Sequence, residues 1–245
     1  MSDLVIERVL APNPGPFTGT GTNTWIAAVG QEALVIDPGP RLAGHEAAIV
    51  AALGERKPLA IVVTHSHEDH APLANVLARQ YQVPAYGHAP GPEFAPDLTL
   101  AEGDRLRVGG SELLVLATPG HSDDHLCFQI GRILFSGDHI MGGSSVMVED
   151  LTRYLESLRR LRPLRLERIY PGHGPEIDNP DEVIDWYLAH RLQREREIVA
   201  AMEAGATTVD EIVEIVYRDV DPSLHPLAAV SVAAHLRKLE EAGPG

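Results

Sequence analysis

The sequence predicts an α/β layered fold followed by a small all-helical C-terminal segment. Three observations carry this. Short β-branched runs ending in glycine, proline or asparagine turns recur through residues 1–178, helix-length stretches are interleaved among them, and from Asp178 onward the pattern changes to helix caps and helical periodicity. Thr22 to Val29 and Glu32 to Ile36 read as neighbouring strands joined at Val29-Gly30-Gln31, and Asp37-Pro38-Gly39-Pro40 breaks the second. Arg41 to Gly54 reads as a helix, and Leu59 to Val63 is a continuous apolar run of the buried-strand type that leads directly into His65. Ala71 to Gln82 is helix-like, Val83 to Tyr86 is a strand, and Ser111 to Ala117, Leu126 to Ile130 and Arg132 to Phe135 give three more strands.

In the tail, Asn179-Pro180-Asp181-Glu182 has the pattern of a helix start: a capping Asn, Pro at the first helical position and Glu three residues after the cap. The spacing predicts a long helix to about Ala204, closed by Gly205. Thr208 and Glu211 form a capping-box pattern for a second helix, and Ala229, Val232, Ala233, Leu236 and Leu239 share one face of a third. The expected division is therefore a catalytic unit over 1–178 and a helical unit over 179–245.

Composition narrows the function classes. The 245 residues are 44% hydrophobic and 22% charged, which excludes fibrous and disordered chains. Thirty-five acids against 20 bases give a net charge of -15, a balance that repels phosphate backbones and anionic membranes at long range. Cys127 is the single cysteine, so an intramolecular disulfide is ruled out, and its setting between Leu126 and Phe128 reads as a small buried hydrophobe. No apolar run approaches the roughly 18 residues of a membrane span, and Met1-Ser2-Asp3 lacks a basic leader region. The expectation is a soluble cytoplasmic protein.

Chemistry concentrates in the histidines. His65-Ser66-His67-Glu68-Asp69-His70 places three imidazoles and a carboxylate within six residues at the end of a predicted strand. In an extended loop, His65 and His67 project to one side and can share a metal ion. Asp69 and His70 sit where the next helix begins, turned away from that pair and able to serve a second ion. His121, Asp138 and His173 occupy turns after apolar runs, each directly preceded by glycine, which lets the backbone turn sharply into a crowded centre. Imidazole and carboxylate donors without thiolate suit zinc and also accommodate iron or manganese.

His-x-His-x-Asp-His, then Thr118-Pro119-Gly120-His121, Ser136-Gly137-Asp138 and Pro171-Gly172-His173-Gly174, in that order, resembles the metallo-β-lactamase superfamily over residues 1 to about 178. The resemblance implies a four-layer αβ/βα sandwich with its site at one edge of two packed sheets. It also implies one ion on His65, His67 and His121, another on Asp69, His70 and His173, and Asp138 bridging them. The implied reaction is hydrolysis by a bridging hydroxide that Asp69 and Asp138 orient, on an ester or thioester that is small or carrier-bound, with anionic substrates favoured. His67, where iron-dependent redox members carry an acid, favours hydrolysis, and Asp138, where β-lactamases usually carry Cys or Ser, places β-lactam or lactone cleavage lower. Basic glutathione contacts of the glyoxalase-II-like thioesterases are not found.

Asn13-Pro14-Gly15-Pro16-Phe17-Thr18, Gly21-Thr22-Asn23-Thr24 and Thr118 through His125 are similar to the lactamase-β-like protein branch, which includes endoribonucleases and carrier-protein thioesterases and carries a winged-helix-like tail. Here the chain stops just after the expected last helix, so the wing hairpin is expected to be missing. Cleavage of single-stranded RNA is the alternative activity. Residues 151–168 hold six Arg against two Glu, a net of +4, whereas residues 197–245 hold nine acids against three bases, a net of -6, the opposite of an RNA-binding tail. The Arg run reads as the solvated face of an amphipathic helix. A non-catalytic scaffold, with the tail mediating a homodimer, is a third reading. The tail is expected to pack on the catalytic unit or on a second subunit, roofing the cleft and limiting substrate size. Gly142 to Ser145 could line the cleft, Asn23 and Thr24 could steady a ligand or close a turn, and Asp37 and His125 could orient ligand imidazoles. His139, His45, His88, His190, His225 and His235 are assigned to packing or solvent.

Overall fold

A computed structural model describes residues 4–143 and 145–242. The first sheet holds β1 (Leu4–Leu10), β2 (Asn23–Val29), β3 (Glu32–Ile36), β4 (Lys57–Val62), β5 (Ala85–Gly87) and β6 (Leu98–Thr99), side by side in chain order. The second runs in the order β11 (Arg168–Pro171), β10 (Ile133–Gly137), β9 (Leu126–Ile130), β8 (Ser111–Ala117) and β7 (Arg105–Val108). β1 to β3 pair antiparallel, and β3 to β6 run parallel. In the second sheet only β10 and β11 are parallel.

Strand alternation builds the layers. Trp25, Ala27 and Val29 of β2, with Leu34, Ile36, Ala60 and Val62, face Leu113, Val115, Phe128 and Phe135 of the other sheet in a dry central core. The opposite residues Ile26, Ala28, Val35 and Ile61 pack under α1 (His45–Leu53) and α2 (Ala74–Tyr81). On the far side Cys127, Leu134 and Ile169 pack under α3 (Leu151–Leu161) and the first half of α4 (Pro180–Glu203). The result is a four-layer αβ/βα sandwich, as the resemblance implies. α3 is capped by Asp150, whose carboxylate accepts from the Arg153 N–H at 3.0 Å, and it buries Leu151, Tyr154, Leu155, Leu158 and Leu161, each such leucine contributing about 1.5–3 kcal/mol.

The tail contains α4, α5 (Val209–Val216) and α6 (His225–Ala242), and among the described residues no strand follows β11. Thr208 and Glu211 form the expected capping box. Asn179 does not cap α4: its amide donates to Glu182 at 2.7 Å, and the backbone N–H groups of the first turn receive no side-chain cap. α4 belongs to two cores, with Ile184 and Tyr187 against α3 and Ile198 and Ala201 against α5 and α6. Packing therefore continues across residue 178. Helix α1 starts at His45 rather than Arg41 because Gly44 sits in the left-handed region, with φ 88°.

Candidate metal centre

Four loops converge on one end of the sandwich, each leaving the C-terminal end of a strand: β4 delivers His65 to His70, β8 His121, β10 Asp138 and β11 His173. His65 Nε2 stands 2.9 Å from His67 Nδ1, which is 3.2 Å from His121 Nε2. Alongside, His70 Nε2 lies 3.2 Å from His173 Nε2 and 3.3 Å from Asp69 Oδ2. Asp138 links the two groups: Oδ1 is 3.3 Å from Nε2 of both His70 and His173, and Oδ2 is 3.7 Å from His121 Nε2. The structure brings all seven sequence-predicted residues together.

The far side of each ring fixes what the near side can be. His121 Nδ1 donates to the Met147 carbonyl at 2.8 Å, His173 Nδ1 to the Gly21 carbonyl at 3.2 Å, and His70 Nδ1 to Asp37 Oδ2 at 3.0 Å. Thr64 Oγ1 donates to Asp37 at 2.7 Å, so it accepts from His65 Nδ1 at 3.0 Å. With these four Nδ1 atoms committed, His65, His70, His121 and His173 turn Nε2 inward, each carrying a lone pair there in its neutral form. They face two carboxylates, and Asp138 Oδ1 is buried without a hydrogen-bond donor. Inward-facing imidazole nitrogens and carboxylate oxygens at this density are satisfied by cations, so these residues fit a metal centre.

Protonation preferences follow the same division. Burial and the neighbouring imidazoles hold His65 well below the usual histidine range, and burial lowers His121. Burial would also lower His70 and His173, but carboxylates override it: Asp69, Asp138 and Asp37 hold His70 well above its ordinary value, and Asp138 and Asp69 lift His173 to about 9. Burial opposes ionisation of Asp69 and Asp138, yet the imidazoles beside them keep both well below the usual carboxylate range. His65 and His121 are thus held neutral, whereas Asp69 and Asp138 hold His70 and His173 in their protonated form.

Glycines make the crowding feasible. A Cβ on Gly172 would stand 2.5 Å from Asp138 Oδ1 and 2.7 Å from His70 Cε1. Gly120 has φ +133° and lies against the backbone of Tyr154, where a Cβ would meet it at 2.5 Å.

Supporting residues divide. Asp37 orients His70, and His125 accepts the Asp138 N–H at 3.2 Å while its Nδ1 meets Thr118 Oγ1 at 2.9 Å. Thr24 does not reach a ligand; it donates to the Asp37 carbonyl at 2.8 Å. Asn23 closes the turn around His173, donating to the Pro171 and Gly174 carbonyls. His139 is buried in packing against Tyr154. Gly142 and Gly143 line a cleft beside His173, and Ser144 lies outside the described residues. That cleft, of about 510 Å³, is completed by Arg8, Pro16, Phe17, Gly19, Thr20, Gly174 and Pro175; the tail packs on the catalytic unit through α3, but among the described residues none of the tail lines this cleft, so the expected roofing is not met on this side. Sequence reasoning missed Thr22, which donates to Asp69 Oδ2 at 3.1 Å and is held by Asn13 at 2.9 Å. It also missed Asp124, whose carboxylate accepts from Ser66 N–H and Ser122 Oγ and ties the first histidine loop to the turn of His121. Both lie inside motifs already conspicuous in the sequence, but their role depends on where two loops meet.

Residues 17–173 match the metallo-beta-lactamase superfamily. The chain belongs to the metallo-beta-lactamase superfamily. Residues 208–243 match the beta-lactamase associated winged helix domain, which gives this superfamily member its helical tail. A beta-lactamase-like protein 2 homolog from Caenorhabditis elegans is 35% identical over 98% of this chain and 85% of its own length. An atrochrysone carboxyl ACP thioesterase from Aspergillus fumigatus is 31% identical over 86% of this chain and 73% of its own. The crystal structure of a metallo-beta-lactamase family protein from Thermus thermophilus superposes with a TM-score of 0.81 at 23% identity, covering 97% of this chain and 94% of that one, and so shares the fold.

Proposed function

We propose that the chain is a metal-dependent hydrolase of ester or thioester bonds in small or carrier-bound acyl substrates. The observation that carries this reading is the convergence of five imidazoles on two carboxylates, one of which, Asp138, has its Oδ1 buried without a hydrogen-bond partner. In this reading His65, His67 and His121 hold one ion, Asp69, His70 and His173 hold another, and Asp138 serves both. Zinc suits these donors best, and iron or manganese would be accepted. Bound as a pair, such ions supply a Lewis acid for the scissile carbonyl and lower the pKa of water. Asp69, held by Thr22, and Asp138, held through its backbone by His125, align the attacking water. The cleft beside His173 takes the acyl part: Pro16, Phe17 and Pro175 offer apolar surface, and Arg8 lends a guanidinium suited to an anionic group on the substrate. The carrier-protein thioesterase among the relatives supports this class of bond. The buried, unpaired Cys127 suits a reducing compartment such as the cytoplasm.

RNA cleavage finds less support. Four of the six arginines in 151–168 are engaged with acids: Arg153 with Asp123, Arg160 with Glu102, Arg162 with Asp181 and Asp185, and Arg168 with Glu176 and Asp178. The test is metal quantification together with turnover on a panel of thioesters, esters, lactones, lactams, phosphodiesters and short RNAs, with and without chelator. The expected result is two equivalents of metal and chelator-sensitive thioester or ester cleavage. His67→Ala with full metal content and full turnover would overturn the assignment.

A further inference from the structure

The chain between β10 and α3 crosses the outer face of the metal centre without joining either sheet. Val146 and Val148 turn their side chains into the core under α3, while Met147 points outward. Because the segment is extended but unpaired, its carbonyls have no ladder partners and must find donors elsewhere. Three of them do, each from a different element. Met147 O accepts from His121 Nδ1 at 2.8 Å, Val146 O accepts from Arg191 Nη2 of α4, and Glu149 O accepts from Arg237 Nη2 of α6 at 2.7 Å. α4 reaches the start of the same segment too, where Tyr187 Oη lies 3.2 Å from both the backbone N and O of Met141. Glu149 and Asp150 N–H groups return to the Gly120 carbonyl at 2.8 and 3.0 Å, closing a loop around His121.

Arg191 is the informative residue. It is 3% exposed, faces no carboxylate within ion-pair distance among the described residues, and stacks its guanidinium over Tyr154 at 5.5 Å. A buried cation without an anion persists where its hydrogen bonds fix something a neutral side chain would leave loose. Here those bonds go to Val146 O and, at 3.4 Å, to Ser231 Oγ of α6, so one side chain ties α4 and α6 to the strap.

We propose that the C-terminal helices act as a frame for the metal centre, with Arg191 and Arg237 as positioning residues that hold the strap 146–149 so that Met147 O sets the tautomer and rotation of His121. This rests on the reading of His121 as a metal ligand. It gives the tail a role inside the active site without any nucleic acid.

The test uses the full chain as Arg237→Ala, Arg237→Lys, Arg191→Met and His121→Ala, with dissociation constants for zinc by chelator competition, the cobalt(II) absorption band, the kcat and KM split, and the melting of the metal-free protein. Arg237→Ala is expected to bind one of two ions about 10–100-fold more weakly, with an altered cobalt band, reduced kcat, KM within about twofold and an unchanged metal-free melt. Arg237→Lys should recover part of this, since an ammonium can still donate to Glu149 O. Wild-type affinity and cobalt band in Arg237→Ala overturn the proposal, as does a loss of affinity matched by a fall in the metal-free melt. Arg237 is exposed, so this variant decides the matter even if Arg191→Met does not fold. His121→Ala separates the two readings: weakened metal there, beside unaffected Arg variants, sinks the frame alone, whereas unaffected metal in His121→Ala sinks the ligand assignment with it.

Discussion

Replacing Asp37 by Asn exchanges one heavy atom, a carboxylate oxygen for an amide nitrogen, and should disable half of the metal centre. Asp37 is 1% exposed and its carboxylate accepts three hydrogen bonds: from Thr64 N–H at 2.7 Å, Thr64 Oγ1 at 2.7 Å and His70 Nδ1 at 3.0 Å. Its backbone is left-handed, with φ 49°, a conformation Asn tolerates, so no strain of the about 1–2 kcal/mol that Ala would meet is introduced. The amide cannot serve three donors. With its nitrogen toward His70, it drives His70 to the Nε2–H tautomer and removes the inward lone pair; with its nitrogen toward Thr64, it leaves the buried Thr64 N–H facing another donor. One unsatisfied buried donor costs about 1–3 kcal/mol, and loss of an orienting partner weakens metal binding by about 10–100-fold, or about 1.4–2.7 kcal/mol. The expected Asn variant is folded, somewhat less stable, and reduced to one tightly held ion. Competition with a chelating indicator at pH 7 measures the affinities, and melts in chelator measure the fold. Two ions bound with unchanged affinity would refute the tautomer argument on which the centre rests.

Gly172→Ala should remove metal binding from the Asp138 and His70 side without left-handed backbone strain, because the new methyl occupies space 2.5 Å from Asp138 Oδ1; anomalous scattering from zinc-soaked crystals that shows two ions at full occupancy would contradict this. Arg8→Ala should raise KM by about 2–5-fold for acyl thioesters bearing a carboxylate and leave neutral ones unchanged, an exposed cation being worth little more; equal shifts for both would remove Arg8 from substrate recognition. Burial, with Arg191 nearby, lowers His235 to about 4 despite Glu195, while Lys238 adds to the lowering. The unfolded chain therefore takes up a proton first, and stability should fall between pH 6.5 and 4 by up to about 3 kcal/mol, a slope that denaturant titrations should find flattened in His235→Leu.

How much of this was legible in the sequence depends on where the determining contacts lie. β2, β3, β4, β8, β9 and β10 were readable because both faces of each are covered, or one is and alternation shows it. β1 was not: at the sheet edge, with Val5 exposed 54% and Leu4 and Ile6 only half-buried, its identity comes from pairing with β2, which its own residues do not announce. β11 has four residues and ends in Pro171, too short for a period to appear. The seven candidate ligands were legible because their loops each carry a compact motif. Asn13, Thr22, Asp124, Arg191 and Arg237 were not, since each acts on a residue from another loop, and Arg191 in particular looks like one more charge on a helix with alternating surface residues until α3 and the strap close over it.

The charge distribution discriminates among substrates by length scale. At physiological salt, electrostatic influence decays over about 8 Å, so a small anion seated beside Arg8 and His173 responds to those groups and to whatever cations the centre holds, and the net charge of -15 spread over the remaining surface scarcely reaches it. A polyanion spanning several nanometres must instead lie across that surface, and the arginines of 151–168 that might offer it a track are mostly committed to Asp and Glu partners. Freeing them would require breaking those exposed pairs, each weak alone but replaced by a phosphate contact of similar weakness, with no net gain. On the proposed reading, the same acidic surface would oppose a long polyanion more strongly than an acyl thioester with a single negative group.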